Sequence, residues 1–119
     1  MKDDAARIKN IIYYCNEIEE SLNYFGKDEI EFVENRRFQH DCSFSISQIG
    51  ESVNSLIKSS PKLIEKYPEI MWRDIVGIRN VIAHKYEGIE LDTVWTVVTE
   101  DVPVLKAACE RILMERSLE

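Results

Sequence analysis

Apolar residues near the start of the chain fall at Ile8, Ile11, Ile12, Cys15, Ile18, Leu22 and Phe25, in steps of three and four. That step returns side chains to one face of a 3.6-residue turn, so the spacing predicts an amphipathic helix. Asp3 and Asp4 put negative charge at its N-terminus and Gly26 is a natural stop, which gives a span of roughly 4–25. After a capping Asp28, the series Ile30, Phe32-Val33, Phe38, Cys42, Ile46, Ile49, Val53 and Leu56-Ile57 predicts a second helix. It runs from about 29 to 58, with room for a bend near Arg36-Arg37, and Ser59-Ser60-Pro61 ends it because proline disfavours helical geometry in the residue before it.

Leu63, Ile64 and Tyr67 predict a short helical turn closed by Pro68. From about Met71 to Lys85, Ile75, Ile78 and Ile82 repeat at helical spacing around Gly77. A glycine there costs ~1 kcal/mol relative to alanine, so it is read as admitting the close approach of another helix. Glu87-Gly88 marks a turn, and Asp92 caps a last stripe of Val94, Trp95, Val98, Val102, Leu105, Cys109, Ile112 and Leu113. Pro103 cannot lie deep in a straight helix, so either the helix kinks there or Asp101 caps a new one with Pro103 in its first turn. No alternating strand pattern of useful length occurs. The expected fold is all-α, a single domain over residues 1–119 built as a bundle of four main helices plus one short extra helix.

Composition narrows this picture. With 45% apolar residues over 119 positions the chain can bury an ordinary core. No segment approaches the ~20 apolar residues of a membrane span. The Met1-Lys2-Asp3-Asp4 start lacks the apolar stretch of a signal peptide, so a cytoplasmic, non-membrane protein is expected. Cys15, Cys42 and Cys109 are odd in number, widely spaced and each on an apolar stripe, which reads as buried thiols and argues against a disulfide framework or a zinc site. The net charge of −7 argues against a general nucleic-acid binder. Yet residues 72–86 carry Arg73, Arg79 and Lys85 against Asp74, a balance of +2, while the flanking regions carry −4 and −5. An acidic body with one small basic spot suits a local phosphate contact.

That spot lies in Trp72-Arg-Asp-Ile-Val-Gly-Ile-Arg79-Asn80-Val-Ile-Ala-His84-Lys-Tyr86. On a helix Asn80 and His84 are neighbours at a step of four, and Arg79 and Tyr86 share a face at a step of seven. Arg79 and His84, five apart, point about 140° from one another, so one helix alone does not aim both at one phosphate. Histidine suits proton transfer with an ordinary pKa near ~6.5, and the planar arginine fork suits a phosphate. Blander roles fit the same residues. His84 and Lys85 suit a helix C-terminus, Arg79 suits an ion pair with Asp74 or Glu51, Tyr86 suits aromatic packing, and Trp72 and Trp95 suit core anchors. His40 and Arg36-Arg37 read as surface residues.

The stretch resembles the HEPN motif, Arg-polar-x-x-x-His, and more narrowly the Arg-x-x-x-x-His-x-Tyr form of HepT-like ribonuclease toxins, with Arg79, Asn80, His84 and Tyr86 at the marked positions. The resemblance extends to Ile49-Gly50-Glu51, Tyr67-Pro68-Glu69-Ile70, Trp72-Arg73, Gly77 and the region from Leu91 to Pro103. It implies a HEPN-type bundle and an endoribonuclease that needs no metal or other cofactor. His84 would transfer protons, Arg79 would stabilise the transition state and Asn80 would orient them. It further implies a homodimer whose motifs share a cleft, and the second predicted helix offers a polar stripe of its own, His40, Ser43, Ser47 and Glu51, to line it. A minimal nucleotidyltransferase antitoxin would attach AMP to Tyr86, placing bulk and negative charge where the RNA substrate's phosphate binds. Two other classes stay open: a non-catalytic module that binds a nucleotide or its partner, and a purely structural helical partner.

Overall fold

The computed structural model describes residues 2–84 and 91–117, with side chains described over 4–79 and 91–116. The first stripe forms α1 (Lys2–Phe25), which buries Ile8, Ile11, Cys15, Ile18 and Leu22. Gly26 ends it at a φ of 101°, where a side chain would be strained, and donates its N–H to the Leu22 carbonyl at 2.9 Å.

The predicted second helix is divided into α2 (Glu29–Glu34) and α3 (Arg36–Ser59). Asn35 makes the break. Its backbone is extended, and its side-chain oxygen accepts from the Phe38 N–H at 3.1 Å, so it caps α3. Gln39 Nε2 then donates to the carbonyls of Phe32 and Val33, both at 2.9 Å, and satisfies the end of α2. Turning the chain here brings Phe32 and Phe38 edge to face at 5.0 Å, with both fully buried.

Pro61 opens α4 (Pro61–Lys66), where its missing N–H costs nothing. Trp72 opens α5 (Trp72–His84). Beyond residue 90 follow α6 (Leu91–Thr96), a π turn (Val97–Asp101) and α7 (Val102–Ser117). The helix does not restart at a cap on Asp101. Thr96 and Val102 both keep helical angles, and the Val102 N–H bonds back to the Val97 carbonyl across a widened turn. Pro103 lacks an N–H and crowds the carbonyl four residues back, and the π turn just ahead of it absorbs that conflict.

Packing puts α3 between α1 and α5, lays α7 along α1, and sets α2 against α3 and α6. The described residues contain no strand, so the fold is all-α, with α1, α3, α5 and the α6–α7 run as main helices. Two short helices, α2 and α4, accompany them where one was expected. No described helix is long and apolar enough to cross a membrane. Gly77 corrects an expectation: it is exposed, and a Cβ there would meet nothing within 4 Å, so it admits no neighbouring helix in this chain.

Cys15, Cys42 and Cys109 are buried free thiols, in keeping with their places on apolar stripes. Burial, which disfavours the thiolate, pushes each pKa up from 9.0 to about 12. Native protein at pH 8 is expected to leave all three unmodified by a thiol reagent, and protein unfolded in denaturant is expected to react fully. Because the folded pKa values are raised, the stability linked to these thiols is complete below pH 9 and declines as pH rises toward about 12. Rapid labelling of the native chain would contradict the packing.

Candidate active site

The chain into α5 is anchored before the motif begins. Tyr67 is buried, and its hydroxyl donates to Glu115 Oε1 on α7 at 2.5 Å. Burial, and then that acidic partner, raise its pKa to about 12. Glu69 pairs with Arg111, whose guanidinium lies over the Tyr67 ring at 5.7 Å. Trp72, also buried, donates its indole N–H to the Tyr67 carbonyl at 3.0 Å. Tyr67-Pro68-Glu69-Ile70 thus fixes the N-terminus of α5 against α7.

From there α5 runs along α3 as an outer helix. Ile75, Val76 and Ile78 are half-buried against the core, while Arg73 and Gly77 face outward. On the cleft side of α5, Asp74, Ile75 and Ile78 line a space of about 210 Å³ with Met71, Asp101 and Leu105. Desolvation, then Glu100 and Asp74, raise the pKa of Asp101. That cleft is apolar and acidic, which does not suit a phosphate.

Arg79 turns toward α3 instead. Gly50 there is buried, and a Cβ at that position would overlap the Cβ and Cγ of Arg79 and lie 3.5 Å from its Cδ. Only a glycine lets the arginine stem lie against α3 at this height. The next residue, Glu51, forms an ion pair with Arg79 Nη2. Of the two acidic partners considered from the sequence, Glu51 is the one that reaches it. The side chains are 29% and 54% exposed, so a pair of this kind contributes about 0–1 kcal/mol to stability. Its effect is mainly on where the guanidinium points.

Asn80 and His84 belong to the last turns of α5 by their backbone, and their side chains lie outside the described residues. Tyr86 lies outside the described residues altogether. The helical backbone keeps Asn80 and His84 on one face, and sets His84 about 140° around the axis from Arg79. Of the polar residues expected to line a cleft, Glu51 meets Arg79, His40 is exposed and Ser47 partly so, but Ser43 is buried. Ser43 therefore does not belong to an exposed stripe. Gly50 is the site residue that pattern reading missed. Its signal was available: a glycine in the middle of a long helix needs a packing reason.

A family model described as ribonuclease HepT-like matches residues 11–112. A Methanocaldococcus jannaschii protein with a provisional RNase name is 32% identical over 111 residues, covering 92% of this chain and 95% of its own length. A second protein of that organism, named likewise, is 28% identical over 115 residues and covers 96% and 94%. A Thermococcus cleftensis protein provisionally named ribonuclease HepT is 28% identical over 82 residues, covering 69% of this chain and 72% of its own length. No solved structure matches at a significant level. The chain belongs to the HepT-like ribonuclease family.

Proposed function

We propose that this member of the HepT-like family is an endoribonuclease toxin that cleaves RNA by attack of the neighbouring 2′-hydroxyl. The observation that carries the reading is the family match over residues 11–112, which spans the whole Arg79–Tyr86 stretch. In the reaction the 2′-oxygen forms a bond to phosphorus as its proton passes to a base. The bond from phosphorus to the 5′-oxygen then breaks, and that oxygen leaves with a proton from an acid. The products are a 2′,3′-cyclic phosphate and a 5′-hydroxyl end, and the step needs no metal. His84 is the proton carrier, Arg79 stabilises the charge on the pentavalent phosphate, and Asn80 orients the pair.

One motif holds one histidine, whereas the step needs a base and an acid. A homodimer supplies the second His84 and a second Arg79, and the 140° between these positions on one helix favours such a composite site. Tyr86 is the switch in this reading. A minimal nucleotidyltransferase antitoxin adds AMP to its hydroxyl, and the new phosphate repels the substrate's phosphate. Cleavage of RNA by the pure protein, in buffer containing a chelator, tests the activity. Co-expression with a nucleotidyltransferase encoded beside it is expected to add one or more AMP units to the intact mass, and Tyr86→Phe is expected to abolish the addition. An unchanged mass would remove the switch from the reading without touching the ribonuclease.

The acidic balance of −7 favours one second reading, a non-catalytic module that binds a nucleotide or its partner protein. Tight nucleotide binding without RNA cleavage would select it.

A further inference from the structure

Arginine is a long side chain with substantial rotamer freedom, and a freely moving guanidinium is a poor transition-state stabiliser. Here two consecutive residues of α3 restrain it. Gly50 presents bare backbone, so the Arg79 Cβ and Cγ lie where any side chain at residue 50 would collide with them. Glu51 takes the far end, through Nη2. The stem and the head are therefore held from one neighbouring helix. The head stays partly exposed, where a phosphate can reach it. Since a half-exposed pair adds little to stability, holding the guanidinium in place is the effect that remains to explain it.

From this we infer that Glu51 is a positioning residue for Arg79, acting on RNA cleavage only through the guanidinium it holds, with Gly50 as the surface that makes the hold possible. The inference rests on the ribonuclease reading, in which Arg79 stabilises the transition state. It also assigns a physical reason to the adjacency of Gly50 and Glu51 in the sequence. The glycine must face the arginine stem, and the residue one step around the helix is then the one beside the arginine head.

A double-mutant cycle tests it. Wild type, Glu51→Gln, Arg79→Ala and the double variant are compared in single-turnover and steady-state cleavage of a defined RNA, after their thermal midpoints have been matched. Glu51→Gln keeps the shape and removes the charge, so its midpoint is expected to stay close to wild type. Its kcat is expected to fall about 10- to 100-fold with little change in KM, the size of effect that misplacing a reacting group produces. In the Arg79→Ala background the same substitution is expected to change nothing further. A purely structural role for Glu51 would lower the rate in both backgrounds alike, and that additive result overturns the inference. So does a wild-type or faster Glu51→Gln enzyme, the latter marking Glu51 as a competitor for the fork. If Arg79→Ala cleaves as well as wild type, or wild type leaves the RNA whole, the ribonuclease role of Arg79 falls first and the inference with it.

Discussion

Replacing His84 with alanine is expected to slow RNA cleavage by roughly 100- to 10,000-fold, the range of a positioned general acid or base. Arg79→Ala should cost about 100- to 1,000-fold, as removal of a preorganised transition-state donor does elsewhere. Both losses should appear in kcat more than in KM, because each group acts on the transition state more strongly than on the bound substrate. The double variant is expected to cleave little more slowly than His84→Ala alone, since the two residues act in one step and their effects do not add. If two copies of His84 serve as base and acid, the rate should peak between two apparent pKa values that belong to the pair and not to either residue. Equal cleavage by wild type and His84→Ala would remove the chemistry from α5. Cleavage that requires a divalent ion would contradict the metal-independent step.

The local charge gives this prediction a second edge. Glu51 sits beside Arg79, and Asp74 and Asp101 line the neighbouring cleft. A long nucleic acid footprint over such a surface is unfavourable, so contact with RNA must be short. The salt dependence of KM is therefore expected to be shallow, corresponding to a few phosphates at most.

How much of this was legible beforehand follows from the physics of each signal. Helix faces were, because burial repeats with the helical step; Ile8, Ile11, Cys15 and Ile18 on α1 are all fully buried. The break at Asn35 left a trace in the apolar series, which jumps five places from Val33 to Phe38. A capping asparagine with an extended backbone explains that jump, and the pattern alone suggested only a bend. The π turn at Val97–Asp101 left no comparable trace, since one widened turn barely shifts a stripe of valines and leucines. Pro103 announced a conflict but not its resolution.

At the site, the two glycines exchange meanings. Gly77 lies inside the motif helix and attracted the close-packing interpretation, yet open space surrounds it. Gly50 lies in the middle of α3, carries the same helix penalty, and is the one that touches Arg79. A helical pattern shows that a glycine is costly, but not which neighbour repays the cost; only the packing of α5 on α3 does. Likewise the choice between Asp74 and Glu51 as partner of Arg79 depends on tertiary structure. Asp74 is five residues back on the same helix, about 140° away, and Glu51 comes from across the groove. The motif itself was legible through its resemblance to a family and not through periodicity, which would read Arg79 and His84 as ordinary surface residues of a short helix.

The largest loss of stability is expected from Phe38→Ala, at about 3–5 kcal/mol. Phe38 has no exposed surface and is the hub of an aromatic cluster joining four elements. Its ring stacks on Phe25 of α1 at 4.9 Å, meets Phe32 of α2 edge to face at 5.0 Å, and meets Trp95 of α6 at 6.1 Å. None of the three neighbouring helices can collapse easily into the space. Phe38 follows the capped Asn35, whose hydrogen bond fixes the start of α3, and Gln39 ties the same turn to α2. The cavity would therefore stay open, and the cost should fall at the upper end for a phenylalanine. Against a total stability of about 5–15 kcal/mol this is a large fraction, and the thermal midpoint is expected to drop by roughly 10–20 °C. Phe25→Ala, at a half-buried position of the same stack, should cost distinctly less. A midpoint for Phe38→Ala within a few degrees of wild type would mean that the cluster does not hold α1, α2, α3 and α6 together. α6 would then need another anchor to stay against the bundle.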